Sequence, residues 1–362
     1  MKPDLPLRRR SFLGSLGLAG LASGAVALRR AFGAPSAVQA QEPAAHGSHA
    51  GMTDNMMEGD VDTAVNGFDP TAMLTDFDYG KVSTLPSGQT LREYAIYAAN
   101  KTIQIAPGIS YPAWVYNGRV PGPTLRCTEG DRLRITFTNG SDHPHSIHFH
   151  GIHQSTMDGL APIPAGGTTV YEFDAEPFGL HLYHCHTVPI RRHIHKGLYG
   201  TFIIDPKTPR PPAHELVMVM NAFDTDFNAE NEVYAVNTIP FHYAKHPIPI
   251  KLGELVRIYL VNVTEFDPIN SFHLHANFFH VYRTGTSLQP SEFTDMVTLA
   301  QGERHILEFR FKFPGDYMFH AHQSEFAELG WMSMFQVTET GAARPGLAPA
   351  AMMGICDLRS QG

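Results

Sequence analysis

The sequence predicts an all-β protein built from two tandem Greek-key β-sandwich domains. From residue 91 onward, short runs rich in β-branched and aromatic residues, such as DRLRITFTNG and TTVYEFDA, are separated by turns of Gly, Pro, Asn and Asp. This pattern is typical of an all-β sandwich. The pattern repeats, because EGDRLRITFTN at 129–139 returns as LGELVRIYLVN at 252–262. A repeat of this length indicates two copies of one domain.

The repeat places the domain boundaries. We expect the first domain at residues 86–206 and the second at 213–340, joined across the proline-rich segment DPKTPRPPAHE. A tail rich in Ala and Pro follows at 341–362. Residues 41–85 show no sustained period, so we expect a flexible leader there. Simple disorder is the favoured interpretation of the leader, although it contains side chains that could collect copper ions, namely His46, His49, Met52, Met56 and Met57.

The N-terminus resembles a bacterial twin-arginine signal. Arg9 and Arg10 stand directly before Ser-Phe-Leu, and a run rich in Gly, Ala and Leu follows. Val38 and Ala40 supply the small residues of a cleavage site, so residues 1–40 would be a signal peptide and the mature chain would begin near Gln41. We therefore expect a periplasmic or secreted protein. A membrane anchor is the weaker interpretation, because the apolar run is short and rich in glycine.

The charge balance argues against some partners. The chain carries a formal charge of −8, and removal of residues 1–40, with six basic residues and one acidic residue, makes it −13. Phosphate binding relies on patches of lysine and arginine. We therefore expect neither nucleic acid nor anionic lipid as the main partner.

Histidines occur in four His-x-His units at matching places in the two repeats. Side chains alternate faces along a strand, so both members of each unit lie on one face and can converge on a metal. An isolated unit is more often surface polar alternation, whereas four units in register with the repeat indicate a metal site. The four units are His148/His150, His184/His186, His273/His275 and His320/His322.

Cys185 stands between the two histidines of the second unit. On a strand, the Cys185 thiol faces away from the imidazoles of His184 and His186. A thiolate with imidazoles is a soft donor set suited to copper, and imidazoles on the other face suit a second copper centre. By itself the triplet could also be a buried thiol beside two surface histidines.

These motifs resemble the multicopper oxidases, and in particular the two-domain, laccase-like blue copper oxidases of bacteria, which are built from two cupredoxin domains. The resemblance covers residues 90 to 340 and implies copper as cofactor, about four ions per chain. By this resemblance His148 and His273 would hold a type 2 copper. The two type 3 coppers would be held by His150, His184, His186, His275, His320 and His322.

The resemblance also implies a type 1 copper at Cys185. His145 would be one imidazole ligand, and the second is His193 or His195, with the spacing in HIHKGLYG favouring His193. Leu198 would take the axial position usually held by methionine, which predicts a raised reduction potential. His181 is not expected to be a ligand. The second repeat lacks this site, because its equivalent positions are Asn270, Ala321, Phe326 and Trp331.

The implied reaction couples one-electron oxidation of a reducing substrate, phenolic, aromatic or a metal ion, to the four-electron reduction of dioxygen to water. Cys185 would pass electrons from the type 1 copper to the cluster. Asp158, in the MDG sequence, resembles the acidic residue that serves as proton relay, and an Asp-Gly turn explains it equally well. In the family each cluster lies between domain 1 of one subunit and domain 2 of the next, which implies a homotrimer.

Two other functions remain possible on the sequence. A copper nitrite reductase shares two cupredoxin domains and a trimer, but its single type 2 copper needs fewer histidines. A non-catalytic periplasmic copper-binding protein would explain the many histidines but not the asymmetry between the repeats.

The sequence also leaves open whether Cys127 and Cys356 form a disulfide. A basic cluster near His193 could favour anionic electron donors, although a solvated loop is the favoured interpretation of Arg191, Arg192 and Lys196.

Overall fold

The strands form four sheets, two in each half of the chain, and the predicted all-β fold is confirmed. The computed structural model describes residues 56–57 and 59–344. The strands of the first half are β1 (Phe77–Asp78), β2 (Lys81–Thr84), β3 (Thr90–Ala106), β4 (Ile109–Tyr116), β5 (Thr124–Thr128), β6 (Arg132–Asn139), β7 (His148–Phe149), β8 (Thr168–Asp174), β9 (Gly179–His184) and β10 (Tyr199–Asp205).

The second half repeats this arrangement of short strands. Its strands are β11 (His214–Phe223), β12 (Val233–Val236), β13 (Ile248–Lys251), β14 (Val256–Asn262), β15 (Ile269–Leu274), β16 (Phe279–Arg283), β17 (Glu292–Thr294), β18 (Met296–Ala300), β19 (Arg304–Phe309), β20 (Gly315–His320) and β21 (Met332–Thr338). Two short helices precede β1, namely α1 (Thr63–Asn66) and α2 (Pro70–Met73). Three more lie between later strands: α3 (Ile190–His195), α4 (His242–Lys245) and α5 (Ser324–Glu328). None of the described helices is long and apolar enough to span a bilayer.

Alternating side chains explain why the strands of the first half form a sandwich. In β6 the side chains of Leu133, Ile135 and Phe137 are buried, whereas the residues between them are partly exposed. One sheet has the order β2-β3-β6-β8, and the facing sheet has the order β1-β5-β10-β9-β7. The buried faces share one core that includes Tyr116 and Phe202. Burial of one face of each sheet against the other is what stabilises a two-layer fold.

The second sandwich repeats the pairings of the first. Its sheets have the orders β12-β11-β14-β19-β16-β17 and β13-β21-β20-β15-β18. The parallel pairing of β5 with β10 recurs as β13 with β21, and the antiparallel pairing of β9 with β10 recurs as β20 with β21. The two similar segments of the sequence therefore fold into sandwiches in which equivalent strands pair in the same way.

An apolar cluster joins the two sandwiches. Leu180 and Ile203 of the first half pack in one cluster with Val219, Tyr259 and Ile306 of the second half. This contact explains why all seven residues of β14 are buried, since its strand faces its own core on one side and the first sandwich on the other. The two halves thus pack together through a third apolar cluster, separate from the core of each sandwich.

The expectation of a flexible leader at 41–85 is wrong for its second half. Residues 59–85 contain α1, α2, β1 and β2, and carboxylates at Asp62 and Asp69 accept hydrogen bonds from the first turns of the two helices. The side chains of Met56, Phe68 and Met73 are buried in the cluster between the sandwiches. A few apolar residues spaced along a polar segment are sufficient for this docking, and composition alone does not reveal them.

Several sequence expectations lie outside the described residues. These are the signal peptide at 1–40, the first part of the leader with His46, His49 and Met52, and most of the tail. Cys356 is also outside them, so its pairing stays a prediction. Cys127 is buried in β5, where its thiol lies 3.8 Å from the carbonyl oxygen of Ile203.

Candidate metal centres

A buried group of one cysteine and two histidines lies in the first sandwich. Cys185 directly follows β9, His193 belongs to α3, and His145 precedes β7. The Sγ atom of Cys185 is 3.2 Å from Nδ1 of His193 and 3.9 Å from Nδ1 of His145, and the two Nδ1 atoms are 3.1 Å apart. All three side chains are buried. A thiol and two imidazoles that converge in this way are a soft donor set suited to copper.

Burial keeps the two imidazoles of this group away from water and in their neutral form. Burial, with a smaller contribution from His193, lowers the pKa of His145 to about 3. Burial, with a smaller contribution from Arg192, lowers the pKa of His193 to about 4. The ring of Trp114 covers the group, with its centroid 5.0 Å from the ring of His145 and 4.9 Å from that of His193. A neutral imidazole keeps a lone pair for a metal ion at all but strongly acidic pH.

His195, the other candidate for the second imidazole, is used elsewhere. The backbone N–H of Asp224 donates to its Nε2 at 3.0 Å, and its Nδ1 lies 3.1 Å from the hydroxyl of Tyr111. Of the two candidates, the structure brings His193 and not His195 to Cys185. His181 is also separate from the group, because its Nε2 donates to the carbonyl of Pro177 at 2.9 Å.

Leu198 stands opposite Cys185. Tyr199 pairs with His184 across β10 and β9, and the N–H of Cys185 donates to the carbonyl of Leu198 at 3.0 Å. Residues directly opposite in an antiparallel pair project to the same face of the sheet. The fully buried side chain of Leu198 is therefore on the face of the Cys185 thiol.

Four histidines of the first sandwich form a second group. His148 pairs with His184 across β7 and β9, and the Nε2 atoms of His150 and His184 are 3.3 Å apart. The ring centroid of His186 is 5.4 Å from that of His148. Burial, with a smaller contribution from His184, lowers the pKa of His150 to about 2. Burial also lowers the pKa of His184 to about 4.

The second sandwich contains a matching group. His273 pairs with His320 across β15 and β20, in the same way that His148 pairs with His184. The Nε2 atoms of His275 and His320 are 2.9 Å apart, and the ring centroid of His322 is 5.3 Å from that of His273. The two sandwiches thus present two groups of four histidines with the same arrangement.

Carbonyl oxygens orient the histidines of both groups. Nδ1 of His148 lies 3.0 Å from the carbonyl of Asp158, and Nδ1 of His273 lies 2.9 Å from the carbonyl of Asp295. When Nδ1 donates its proton to a carbonyl, the lone pair is on Nε2 and is available to a metal. The carboxylate of Asp158 is also 3.0 Å from Nδ1 of His148.

Several of the residues that support the histidines do not belong to the predicted ligand motifs. Ser146 and Ser271 accept hydrogen bonds from the backbone N–H groups of His186 and His322, at 3.3 and 2.8 Å. The two serines occupy the same place in HSIHFH and NSFHLH, so comparison of the repeats could have found them. Asp295 and Trp114 have no comparable signal in the sequence.

The two histidine groups are separate within one chain. Among the described residues, no set of converging donor atoms combines histidines of both sandwiches. The side chains of His275 and His322 are exposed. Each group is therefore a half of the predicted set of eight histidines, and the second half faces solvent.

Apolar side chains fill the second sandwich where the first has its cysteine group. The N–H of Ala321 donates to the carbonyl of Trp331 at 3.2 Å, as that of Cys185 does to Leu198. The N–H of Trp331 donates to the carbonyl of Phe326, as that of Leu198 does to His193. Ala321, Phe326 and Trp331 lie in the core of the sandwich. Asn270 is fully buried nearby in the same sandwich, and its side chain donates to the hydroxyl of Thr264 at 3.1 Å.

Known proteins are similar to the chain over both sandwiches. A solved structure of a multicopper oxidase is 58% identical, covers 77% of this chain and 100% of its own, and has a TM-score of 0.76. A blue copper oxidase from Nitrosomonas europaea is 26% identical, covers 70% of this chain and 88% of its own, and has a TM-score of 0.63. A copper-containing nitrite reductase from Neisseria meningitidis is 28% identical over 270 residues, which is 68% of each chain.

Two family models, both described as multicopper oxidase, match the chain, one at residues 98–209 and the other at residues 209–341. The first part contains the cysteine group and one set of four histidines, and the second part contains the other set. The 58% identical structure shares the arrangement of two cupredoxin-like sandwiches. With both halves of the chain matched, the protein belongs to the multicopper oxidase family.

Proposed function

We propose that the protein is a laccase-like oxidase that couples one-electron oxidation of a reducing substrate to the four-electron reduction of dioxygen to water. The observation that carries the proposal is the complete set of eight histidines in two matching groups of four. A nitrite reductase with a single type 2 copper would not need this set. The similarity to nitrite reductases keeps nitrite reduction as the second candidate.

The donor atoms fit copper. Cys185, His145 and His193 would hold the type 1 ion, and the buried side chain of Leu198 on the same face would add no donor atom. His148 and His273 would hold the type 2 ion. The type 3 pair would be held by His150, His184, His186, His275, His320 and His322. When bound, copper would supply the one-electron redox chemistry and the activation of dioxygen.

The residues of the chain exclude water from the cysteine group, orient the histidine rings and connect the two candidate metal centres. Trp114 and the surrounding core exclude water from the thiol of Cys185. Carbonyl oxygens fix the rings of His148 and His184 so that Nε2 of each faces the group. Covalent bonds join Cys185 directly to His184 and His186, so the two centres are connected through one residue on either side of the cysteine.

We also propose a proton-transfer role for Asp158. Its carboxylate lies 3.0 Å from Nδ1 of His148 and lines a solvent-accessible cleft with His148 and His150. Asp158→Asn keeps the shape of the side chain and removes the proton acceptor, so we expect turnover to fall by about 100-fold with little change in copper content. Oxygen uptake across pH 5 to 8 measures the effect, and an unchanged rate and pH profile would leave Asp158 as a turn residue only.

Leu198→Met is expected to lower the reduction potential of the type 1 site. The side chain at this position is on the face of the Cys185 thiol, so methionine would place a weak sulfur donor beside the metal and favour its oxidised form. Redox titration of the blue absorbance measures the shift. An identical spectrum and potential in the variant would show that residue 198 does not occupy the axial position.

A trimer is part of the proposal. The two histidine groups do not meet within one chain, and the group of the second sandwich is exposed at His275 and His322. In a closed ring of three subunits, the first sandwich of one subunit would meet the second sandwich of the next. Three composite clusters would then form, each with eight histidines.

Oxygen uptake by the copper-loaded protein tests the function. We expect phenolic, ferrous or cuprous donors to drive oxygen consumption, with about four coppers per chain and strong blue absorbance. Nitrite turnover without oxygen consumption would establish the second candidate. Copper binding without any turnover would establish a copper-binding protein instead.

We further propose export by the twin-arginine route, on the basis of Arg9 and Arg10 before an apolar run. N-terminal sequencing of protein recovered from the periplasm should give a chain that begins near Gln41. Recovery of the uncleaved chain from the cytoplasm alone would contradict export.

A further inference from the structure

We infer that the cleft beside the cysteine group is a binding site for aromatic electron donors that carry a negative charge. This inference rests on the proposed oxidase function, because it names the class of reducing substrate. The cleft has a volume of about 580 Å³ and lies between α3 of the first sandwich and a loop of the second. The residues that carry the argument are Arg191, Arg192, Lys196, Asp224, Phe227 and Phe266.

Lys196 is the central group of this cleft, and it is not part of a solvated loop as the sequence suggested. Its side chain is buried, with 8% of the residue exposed. The Nζ atom lies 5.0 Å from the ring centroid of Phe227, 5.3 Å from that of Tyr111 and 5.7 Å from that of Trp114. Burial lowers the pKa of Lys196 to about 8, so the ammonium group is still charged at neutral pH. Aromatic rings stabilise a cation but do not replace a hydrogen-bond acceptor.

No carboxylate in the described part of the chain forms an ion pair with this cation, although the carboxylate of Glu265 interacts electrostatically with Arg191 and both residues line a neighbouring cleft. Lys196, Arg191 and Arg192 all lack an ion pair with a carboxylate among residues 56–57 and 59–344. Asp224 lines the same cleft, but its two carboxylate oxygens accept the backbone N–H groups of Asn228 and Ala229 at 3.0 and 2.9 Å. The ammonium group of Lys196, at the wall of the cleft and beside two exposed guanidinium groups, is therefore a site for a carboxylate or sulfonate of a ligand.

The walls of the cleft favour a flat ligand. The side chain of Phe227 is 53% exposed, and Phe266 lines the opposite side beneath the guanidinium of Arg191, which is 5.2 Å from its ring centroid. Exposed aromatic rings around a few convergent charges are the usual lining of a site for a small aromatic molecule. A phenol with a carboxylate on the ring satisfies both the charges and the rings.

The cleft is connected to the cysteine group through one side chain. The guanidinium of Arg192 and the ammonium of Lys196 lie 5.3 and 5.7 Å from the ring centroid of Trp114. The same ring is 4.9 Å from the ring of His193. A donor bound to Lys196 would thus be separated from His193 by a single aromatic ring. Four bound phenols would each lose one electron and one phenolic proton to become phenoxyl radicals, while one dioxygen molecule is reduced to two waters.

A matched pair of donors tests this inference. Syringate and 2,6-dimethoxyphenol differ only in the ring carboxylate, so the ratio of their kcat/KM values reports recognition of the charge. We expect Lys196→Met to lower the ratio of syringate to 2,6-dimethoxyphenol by about tenfold. Lys196→Arg should retain most of the ratio, and the exposed Arg192→Gln should lower it by about threefold, because a solvent-screened charge contributes less. Lys81→Met, which removes a lysine from the exposed strand β2, is the matched control and should leave the ratio unchanged.

Binding of 3,4,5-trimethoxybenzoate separates this inference from the proposed function, because this anion has no phenolic proton to lose. Calorimetry should detect its binding to the wild-type protein and a loss of binding in Lys196→Met. If neither phenol drives oxygen uptake but the anion binds through Lys196, the oxidase proposal fails and the anion site stands. If both phenols are oxidised with a ratio that Lys196→Met does not change, or if the anion does not bind, the anion site is overturned.

Discussion

Cys185→Ser is expected to abolish the blue absorbance and to reduce oxidase turnover by about 1,000-fold, equivalent to about 4 kcal/mol of barrier. The reason is that Cys185 supplies the thiolate of the buried group and is also the residue between His184 and His186. A serine hydroxyl is a poor ligand for copper at this position, so the site would lose its metal and its electronic connection together. Copper content should fall by about one ion per chain, because the eight histidines are untouched.

Cys127→Ser is the matched control for this prediction. Cys127 is also buried in the first sandwich, but its thiol contacts only the carbonyl of Ile203 at hydrogen-bonding distance. We expect Cys127→Ser to keep the blue absorbance, the copper content and the turnover. A blue and active Cys185→Ser protein would refute the assignment of the type 1 site. Loss of colour in both variants would indicate a general loss of folding, which circular dichroism would reveal.

Co-expression of two inactive variants in one cell is expected to restore about one quarter of the wild-type activity. His150→Ala damages the histidine group of the first sandwich, and His275→Ala damages the matching group of the second. If each cluster combines the first sandwich of one subunit with the second sandwich of the next, a cluster in a mixed trimer is intact with a probability of ½ × ½, or about one quarter. Each variant alone should be inactive.

The co-expression experiment distinguishes a cluster whose histidines come from two subunits from a cluster whose histidines all come from one chain. Co-expression of His150→Ala with His184→Ala is the control. Both substitutions are in the first sandwich, so every subunit has a damaged first histidine group and no complete cluster can form. If clusters formed within single chains, co-expression of His150→Ala with His275→Ala would restore nothing, since each chain carries a lesion. Light scattering of the wild-type protein should give a mass of three chains, and a fully active monomer would contradict the trimer.

The sequence predicted the features that repeat along the chain. The two sandwiches and the four His-x-His units follow from periodicity, because a strand side chain and its neighbour two positions away lie on one face. The spacing in HIHKGLYG favours His193 over His195, and the structure also brings His193 to Cys185. The physical reason is visible only in the structure, because both histidines occur in α3 and the ring of His195 is held elsewhere by hydrogen bonds to the backbone N–H of Asp224 and the hydroxyl of Tyr111.

Features that depend on distant segments could not be predicted. The sequence favours a solvated loop at Lys196, whereas the burial of this side chain depends on Phe227 in the other sandwich and on Tyr111 in β4. The packing of Met56 and Met73 between the sandwiches likewise depends on surfaces that exist only after both domains have folded. In each case the environment comes from residues far away in the sequence, whereas composition reports only the local segment.

The apolar filling of the second sandwich has a consequence for how this protein can change over evolutionary time. Phe326 stacks on Tyr234 with ring centroids 4.0 Å apart, and Trp331 is fully buried. Replacing either large ring by a smaller metal-binding side chain would create a cavity and cost about 3 kcal/mol or more, and Ala321→Cys would overpack a closed core. None of these single steps restores a metal site, so each would be destabilising without any gain in function. A metal site in the second sandwich would therefore need several of these replacements together, because no single replacement offsets its own cost in stability.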